Sequence, residues 1–570
     1  MRWSFRSHTT LAVLSVFVSI LTFFCATTLR GNETTDKVDK LFAAWDKTTA
    51  PGATLAVIKD GNIVYERGYG MAKLEDGIVN TPERVFDIGS VSKQFTAACV
   101  AMLVREGRVG LDDDIRRYLP EMPAYDKPVT VRHLLHHTSG LRDLDALLGL
   151  AGFRPETDAP TVEEAAEIVR RQKRLNFAPG DEYSYTNTGF FLLSRIVERV
   201  SGKSLNTFAQ ERIFRPLGMT KTLFQDDHTQ IIKDRATGYS RRENGFAISM
   251  SRWDITGAGN VLTTVRDLFL WDQAFYSGAL GKDLMAMLQT RGALNSGKTI
   301  DYAFGLGIRE YRGLRIVTHL GGWAGFRTAF VRFPERGFSV IVLANVDAID
   351  PAQLAFGVAD IYLADFLKEP QKEEPKTILT IAVPRADLEA QAGNWQDDRF
   401  GMWLVLAVDD GKLFWTLNGE RHALAAVAPG RFAALEHPTG MVFELMTAEK
   451  GTPARAKLSI GNDQELRFRK AAPVKPLSTE ELREYAGKYV SEELLDVRYT
   501  MSVEKGQILL RMRTLPPTPL KAMAPDKFAL PEYGFSAEFT RAKGGHVTGF
   551  RVNAIQAAGL MFVKEQQEQK

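Results

Sequence analysis

The chain has 570 residues, 45% apolar and 25% charged, enough for about three or four packed domains; a single small fold and wholesale disorder are both excluded. Its 72 Lys and Arg against 69 Asp and Glu leave a formal charge of +3, without the concentrated basic field that a nucleic-acid partner requires. Only Cys25 and Cys99 are present, which rules out a disulfide framework and any cysteine-rich metal site.

At the N-terminus, Arg2 and Arg6 precede an apolar run from Leu11 to Phe24, then the small residues Ala26, Thr27 and Thr28 and a polar stretch from Arg30 to Lys37. Basic, then apolar, then small is the order of a secretory signal. Residues 1–31 are therefore expected to direct export to a periplasmic or extracellular location, either cleaved off or kept as a membrane tether. The run falls short of the ~20 helical residues that span a hydrocarbon core. Phe23 and Phe24 stand before Cys25 where a lipid-attachment site would have small residues, so lipidation is not expected. No later segment approaches a membrane span.

A first block, residues 32–367, mixes periods. Thr54 to Ile58 and Ile63 to Tyr65 read as strands joined at Asp60-Gly61, a dipeptide suited to a tight hairpin. A helical pattern starts at Ser90, with Phe95, Ala98, Cys99, Met102 and Leu103 on one apolar face. Further helices are expected over Glu163 to Gln172 and Phe190 to Val200. Sheet returns at Thr328 to Phe333 and Phe338 to Leu343, around Pro334-Glu335-Arg336-Gly337, and a last helix runs from Pro351 to Leu367. Strands from both ends with helices between them predict an α+β domain, one antiparallel sheet beside a helical lobe.

The charged and proline-rich stretch from Lys368 to Pro375 opens a linker, residues 368–384. Beyond it the chain repeats itself. Leu388, Ala392, Gly393 and Trp395 recur as Leu482, Ala486, Gly487 and Tyr489, and Ala428-Pro429 with Phe432 recur as Ala524-Pro525 with Phe528. Each copy, 385–472 and 477–567, alternates apolar and polar residues in short runs such as Leu404 to Val408 and Lys412 to Thr416. That pattern predicts two small antiparallel β-barrels.

The informative constellation is Ser90-Val91-Ser92-Lys93, where Gly89 turns the chain into the buried helix. Spacing i, i+3 sets the Lys93 amine beside the Ser90 hydroxyl, and the helix N-terminus favours developing negative charge. A serine hydroxyl needs a neighbour to take its proton, and lysine serves only if burial lowers its pKa. Lowering it by about three units disfavours the charged form by roughly 4 kcal/mol, so Lys93 has to be buried. Roughly two Ser-x-x-Lys matches arise by chance in a chain this long, so the motif alone is weak. Tyr185-Thr186-Asn187, after the turn Pro179-Gly180, and His319-Leu320-Gly321-Gly322, ending a strand, strengthen it.

With these three motifs in this order the chain resembles the serine β-lactamase and penicillin-binding-protein superfamily, in particular its class C-like branch of esterases, D-aminopeptidases and DD-peptidases. The stretch from Arg132 to Leu141 and Gly257-Ala258-Gly259-Asn260 look like that branch's structural signatures. The resemblance implies a cofactor-free acyl-enzyme cycle on a small-molecule or peptide substrate. In it Ser90 attacks, Lys93 accepts the proton, Tyr185 shuttles it to the leaving group, and Asn187 holds the substrate carbonyl and orients Lys93. A phenolate at Tyr185 would require support from Lys93 or His319. The backbone N–H groups of Ser90 and Gly322, within the Gly321-Gly322 strand end, would form the oxyanion hole, with Trp323 lining the pocket or merely packing.

His319 stands where the family pattern has Lys-Thr-Gly, so a mostly neutral ring replaces a fixed cation. This argues against efficient β-lactamase or DD-carboxypeptidase action on carboxylate-bearing substrates and favours aminopeptidase or esterase chemistry. The D-aminopeptidases carry His in this motif and append two C-terminal barrels, a loop of which restricts substrates; the same is expected here, through the second repeat. An alternative of another class is a penicillin-binding sensor that acylates without turnover. His133, His136 and His137 resemble a metal cluster but lack an acidic third ligand, and Asp112-Asp113-Asp114 lack the spacing of a calcium loop, so no metal is expected. Cys99 is expected to be a buried, inert thiol.

Overall fold

The computed structural model describes residues 33–369, 380–398, 401–417, 420–434, 441–446, 453–460, 464–513, 516–530, 535–554 and 556–566. The expected export segment and most of the linker lie outside these residues. Among the described residues no helix is long and apolar enough to cross a membrane.

The first block opens with helix α1 (33–42) and the hairpin of β1 (Ala53–Lys59) and β2 (Asn62–Tyr69). Asp60 and Gly61 take φ of 49° and 78°, the two positive values of a two-residue turn that matches strand twist. After the helices of the lobe, β3 (Gly307–Tyr311), β4 (Leu314–Trp323), β5 (Phe326–Phe333) and β6 (Phe338–Ala344) complete an antiparallel six-stranded sheet of order β3-β4-β5-β6-β1-β2. The first and last strands of the block therefore meet at its centre, Ala53 opposite Ala344.

Both faces of this sheet are covered, which is why β1 reads as an unbroken apolar run. Ala53, Leu55 and Val57 point to one core, while Ala56 and Ile58 point to the other. The first core is closed by α1 and by α6 (Pro351–Tyr362), whose N-cap Asp350 accepts from the N–H groups of Ala352 and Gln353. The helix ends before Leu367, because the chain turns back to pair Lys368 N–H with Arg312 O beyond β3. The second core lies under the helical lobe, built around α2 (Lys93–Arg105), α3 (Leu144–Leu150), α4 (Asn187–Ser201) and α5 (Val265–Ser277).

Each repeat closes into an eight-stranded antiparallel barrel, from Gly393–Asp397 to Gln464–Lys470 and from Gly487–Ser491 to Ala557–Lys564. First pairs with last in both, Trp395 with Lys470 and Tyr489 with Lys564, so no sheet edge is left open. The repeated residues are the core pins: Leu388 and Leu482 sit on short helices, and Trp395 and Tyr489 are fully buried.

Candidate active site

Ser90 stands where α2 begins. Gly89–Ser92 forms a 3-10 turn and the α-helix proper starts at Lys93, three residues later than the apolar pattern suggests. In a 3-10 turn residues i and i+3 eclipse one another. That tight turn stacks Lys93 on Ser90, with Lys93 Nζ 3.1 Å from Ser90 Oγ. Asp87 holds the turn by accepting the Gly89 N–H at 2.8 Å, and Gly89 takes φ of 50°. Strand β4 lies directly against this turn. A Cβ at Gly321 would fall 2.0 Å from Ile88 O, and one at Gly89 would fall 2.8 Å from Gly322 N, so glycines bring the strand and the nucleophile together.

Lys93 is fully buried and its amine has three partners: Ser90 Oγ, Asn187 Oδ1 at 2.7 Å and Ala258 O at 2.8 Å. The loop carrying Ala258 is clamped to α2 by Thr96, whose hydroxyl donates to Gly257 O, and by Ser92, which accepts from Val261 N–H. Two of the three partners can only accept. A neutral amine therefore directs both its protons at Asn187 and Ala258 and turns its lone pair to the Ser90 hydroxyl. Burial favours that neutral form and lowers the Lys93 pKa well below a lysine's ordinary value, against the opposing pull of Asp145 and Asp143.

Tyr185 lies with its ring 4.8 Å from Lys93 Nζ, its buried hydroxyl forming no hydrogen bond of its own. Burial raises its pKa, with the Ser90 side chain as the main opposing contact, so it rests as a phenol and not as the phenolate considered above. The imidazole of His319 sits behind it, ring centroids 6.3 Å apart. His319 Nδ1 meets Leu320 O at 2.6 Å and Nε2 meets the Tyr302 hydroxyl at 2.9 Å. A carbonyl only accepts, so Nδ1 carries the proton and Tyr302 donates to Nε2. Burial, reinforced by Lys93, pushes His319 down to about 3, so the ring is neutral and both its nitrogens are occupied.

Ser90, Asn187, Gly322 and Trp323 line a common cavity of about 60 Å³, room for a few waters or a small acyl group. Trp323 packs on Trp253 at 5.4 Å and forms part of the wall. Gly321 instead backs the nucleophile turn. Sequence reasoning missed Asp143 and Asp145. Asp143 caps α3 through the Asp145 and Ala146 N–H groups and also accepts from the Thr186 hydroxyl and Asn187 N–H, tying α3 to α4. Asp145 accepts from Asn187 Nδ2 at 2.7 Å and lines the cavity. Asp-Leu-Asp after the Thr138-Ser139-Gly140-Leu141 turn is a readable helix start, but nothing in it tells that its second carboxylate faces the nucleophile.

The second barrel grips this site from behind. Gln556, at φ of 64° in the hairpin between Val547–Ala554 and Ala557–Lys564, donates from Nε2 to Tyr185 O at 2.8 Å. Its own carbonyl accepts from Asp143 N–H and Asn176 Nδ2. Nearby, Arg142 and Glu493 form a buried ion pair at 2.8 Å, with Gln172 bridging to both. The loop expected to enter the pocket thus acts differently: among the described residues none from the barrels lines the cavity, and the contact is to the backbone that carries Tyr185 and Asp143.

The other polar clusters have local partners. His133 Nδ1 accepts from Thr130 N–H, His136 meets Thr290 O, and His137 Nδ1 accepts from Thr186 N–H while its ring packs 4.2 Å from that of Tyr185. Asp112 pairs with Arg132, Asp113 accepts from Tyr118, and Asp114 caps the 3-10 turn Ile115–Arg117. Cys99 is buried and its thiol pKa raised.

A family model described as Beta-lactamase matches residues 38–362. The chain is 33% identical over 365 residues to a D-aminopeptidase of Brucella anthropi, 63% of this chain and 66% of that protein, so it spans just under two thirds of that relative's length. It is 31% identical over 318 residues to penicillin-binding protein 4* of Bacillus subtilis, 51% of this chain and 67% of that one. An octameric penicillin-binding protein homologue from Pyrococcus abyssi superposes with a TM-score of 0.54 at 25% identity, covering 77% of this chain and 99% of the other. The D-amino acid amidase from Ochrobactrum anthropi SV3, at 24% identity and a TM-score of 0.50 over 58% of this chain and 98% of its own, shares the fold.

Proposed function

The chain belongs to the beta-lactamase family, a serine hydrolase of that superfamily, and from this premise we propose that it cleaves amide or ester bonds as a D-aminopeptidase-like peptidase or esterase. The observation that carries the reading is the bonding of Lys93, whose buried amine has acceptors for two protons and meets Ser90 Oγ with the third direction.

In acylation the Ser90 Oγ–H proton passes to Lys93 as Oγ bonds to the substrate carbonyl carbon. The oxyanion that develops is met by the N–H groups of Ser90 and Gly322, a contribution of about 3 kcal/mol per donor in the transition state. Collapse breaks the bond to the leaving amine or alcohol, which takes its proton from the Tyr185 phenol as Lys93 restores it. Water then repeats the sequence on the acyl-enzyme, releasing an acid and free Ser90. The neutral, doubly bonded His319 offers no fixed cation to a substrate carboxylate. That supports aminopeptidase or esterase chemistry over carboxypeptidase or β-lactamase chemistry. The relatives named D-aminopeptidase support the same choice. Export through residues 1–31 is part of the proposal.

The test is direct. The purified chain is mixed with a chromogenic ester, D-alanine p-nitroanilide and a chromogenic cephalosporin. Steady release from the first two, abolished in Ser90→Ala, is the expected result. A stoichiometric burst followed by arrest would instead identify a sensor, and release that survives Ser90→Ala would sink the mechanism.

A further inference from the structure

Tyr185 has to deliver a proton to the leaving group from a ring whose tip is unsecured, since its hydroxyl forms no hydrogen bond of its own. Its place is therefore set by its backbone and by what packs on its ring. One residue supplies most of both. His137, just past the short helix Val131–Leu135, is fully buried. It takes φ of 56°, a left-handed conformation that a residue other than glycine keeps only where its surroundings hold it. From there its carbonyl accepts the Ser184 N–H at 2.9 Å and its Nδ1 accepts the Thr186 N–H at 3.1 Å, one bond on each side of Tyr185. Its ring packs on the Tyr185 ring, 4.2 Å between centroids, and Gln556 takes the Tyr185 carbonyl.

Because Nδ1 accepts, the ring hydrogen sits on Nε2, which is buried and has no hydrogen-bond partner among the described residues. Around the imidazole stand the rings of Tyr185, Tyr302 and Phe190, the last two at 4.6 and 5.2 Å between centroids. A buried N–H left unpaired is costly, and a phenylalanine would fill such an aromatic cage without that cost. What phenylalanine cannot offer is an acceptor at Nδ1. Burial, reinforced by Lys93 and His319, holds the His137 pKa well below that of an ordinary imidazole, so the Nδ1 lone pair stays available. We infer that His137 is a positioning residue: its Nδ1 bond to Thr186 N–H holds Tyr185 where the phenol can hand a proton to the leaving group. This rests on the hydrolase reading above. His137 is not among the described residues that line the cavity holding Ser90, so it acts through Tyr185. Its loss should be felt in proportion to the leaving group's need for a proton, which an alkoxide has and a p-nitrophenolate does not.

The test uses the full chain with the p-nitrophenyl and methyl esters of one acyl group, D-alanyl or butyryl, whichever the natural chain cleaves in dependence on Ser90. The quantity read is kcat/KM, which reports acylation, and Tyr185→Phe supplies the signature of a missing phenol. His137→Phe keeps a ring and removes the acceptor. It should lose about 100-fold on the methyl ester and no more than about threefold on the p-nitrophenyl ester, the same pattern as Tyr185→Phe. His137→Gly, which suits the positive φ, should show that pattern too and serves if the phenylalanine variant fails to fold. His137→Asn carries an amide oxygen at the same distance along the side chain as Nδ1 and tolerates positive φ, so it should return the methyl ester to within about tenfold of the natural chain. Losses in His137→Phe and His137→Gly that are equal on the two esters, or absent, would overturn the inference and leave the hydrolase reading standing. So would a methyl-ester loss in His137→Asn as large as in His137→Gly. Equal losses on the two esters in Tyr185→Phe would remove the role of the phenol and the inference with it, the Ser90 chemistry remaining. A natural chain that cleaves none of these esters in dependence on Ser90 would remove the hydrolase reading and the inference together.

Discussion

At the scale of single residues the site is a problem in keeping one amine neutral. Lys93 is enclosed by protein and hydrogen-bonded to two carbonyl-type oxygens, and its burial lowers its pKa to about 7 while Asp145 and Asp143 resist. The active form is the free base. A folded-state value depressed from the ordinary ~10.4 means that the base is mostly neutral above about pH 7 and becomes protonated below it. Hydrolysis of an uncharged ester should therefore rise with pH through neutrality, with an acid limb near 7, as a pH series of kcat/KM will show. Lys93→Arg fixes a cation there and should lose about 10³-fold or more, consistent with the loss of a general base. An acid limb near 4 would instead assign the base to an ordinary carboxylate. Ser90 and Lys93 were legible in the sequence because i, i+3 spacing at a helix start is a local geometric statement. Asp145 was not, because its role depends on Asn187, which lies on another helix and which no periodicity connects to it.

Between elements, the connection that matters runs from the hairpin of the second barrel to the segment carrying Tyr185, just before α4. Gln556 replaces solvent as the partner of Tyr185 O and, through its own carbonyl, of the N-cap residue Asp143. Gln556→Ala removes the first of these bonds and keeps the second. Catalysis depends on a phenol held within hydrogen-bond reach, so kcat should fall about tenfold with KM little changed, measured on the chromogenic ester. A KM effect alone would show that the hairpin shapes binding instead. Glu493→Ala is expected to be harsher. It leaves the Arg142 guanidinium, 1% exposed, without its carboxylate partner, and breaking such a pair costs about 3–5 kcal/mol, readable as a lowered denaturation midpoint. The sequence revealed that there are two barrels, because the repeat pins Leu388, Trp395, Leu482 and Tyr489 are core residues with fixed spacing. It did not reveal that a barrel hairpin would brace the Tyr185 backbone and leave the pocket unfilled. Contacts of this kind run between a glutamine amide and main-chain atoms, which have no sequence signature.

For the whole molecule the two barrels are not equivalent. The apolar core of the second is continuous with that of the helical lobe, one cluster running from Phe95 and Leu147 to Tyr489, Tyr499 and Phe562, whereas the first barrel closes around its own cluster of Trp395, Trp415 and Phe443. Trp403, Met523 and Ala529 form the small apolar contact between the barrels. Tyr499 is fully buried, stacks on Phe562 at 4.4 Å and donates to Leu150 O at 2.6 Å, at the end of the helix that presents Asp145. Trp415 is equally buried, and among the described residues its apolar cluster is that of its own barrel. Truncating either to Ala removes a large core ring and should cost about 3–5 kcal/mol locally. The consequences for catalysis should diverge. Trp415→Ala should lower an early thermal transition and leave ester hydrolysis at 25 °C near the natural rate, because among the described residues its apolar cluster is separate from the one that runs through the lobe. Tyr499→Ala should lower stability and activity together, since its barrel and the lobe form one cooperative unit. Calorimetry paired with activity measured after each heating step separates the cases. Loss of hydrolysis in step with the first barrel's melting would show that all three parts fold as one.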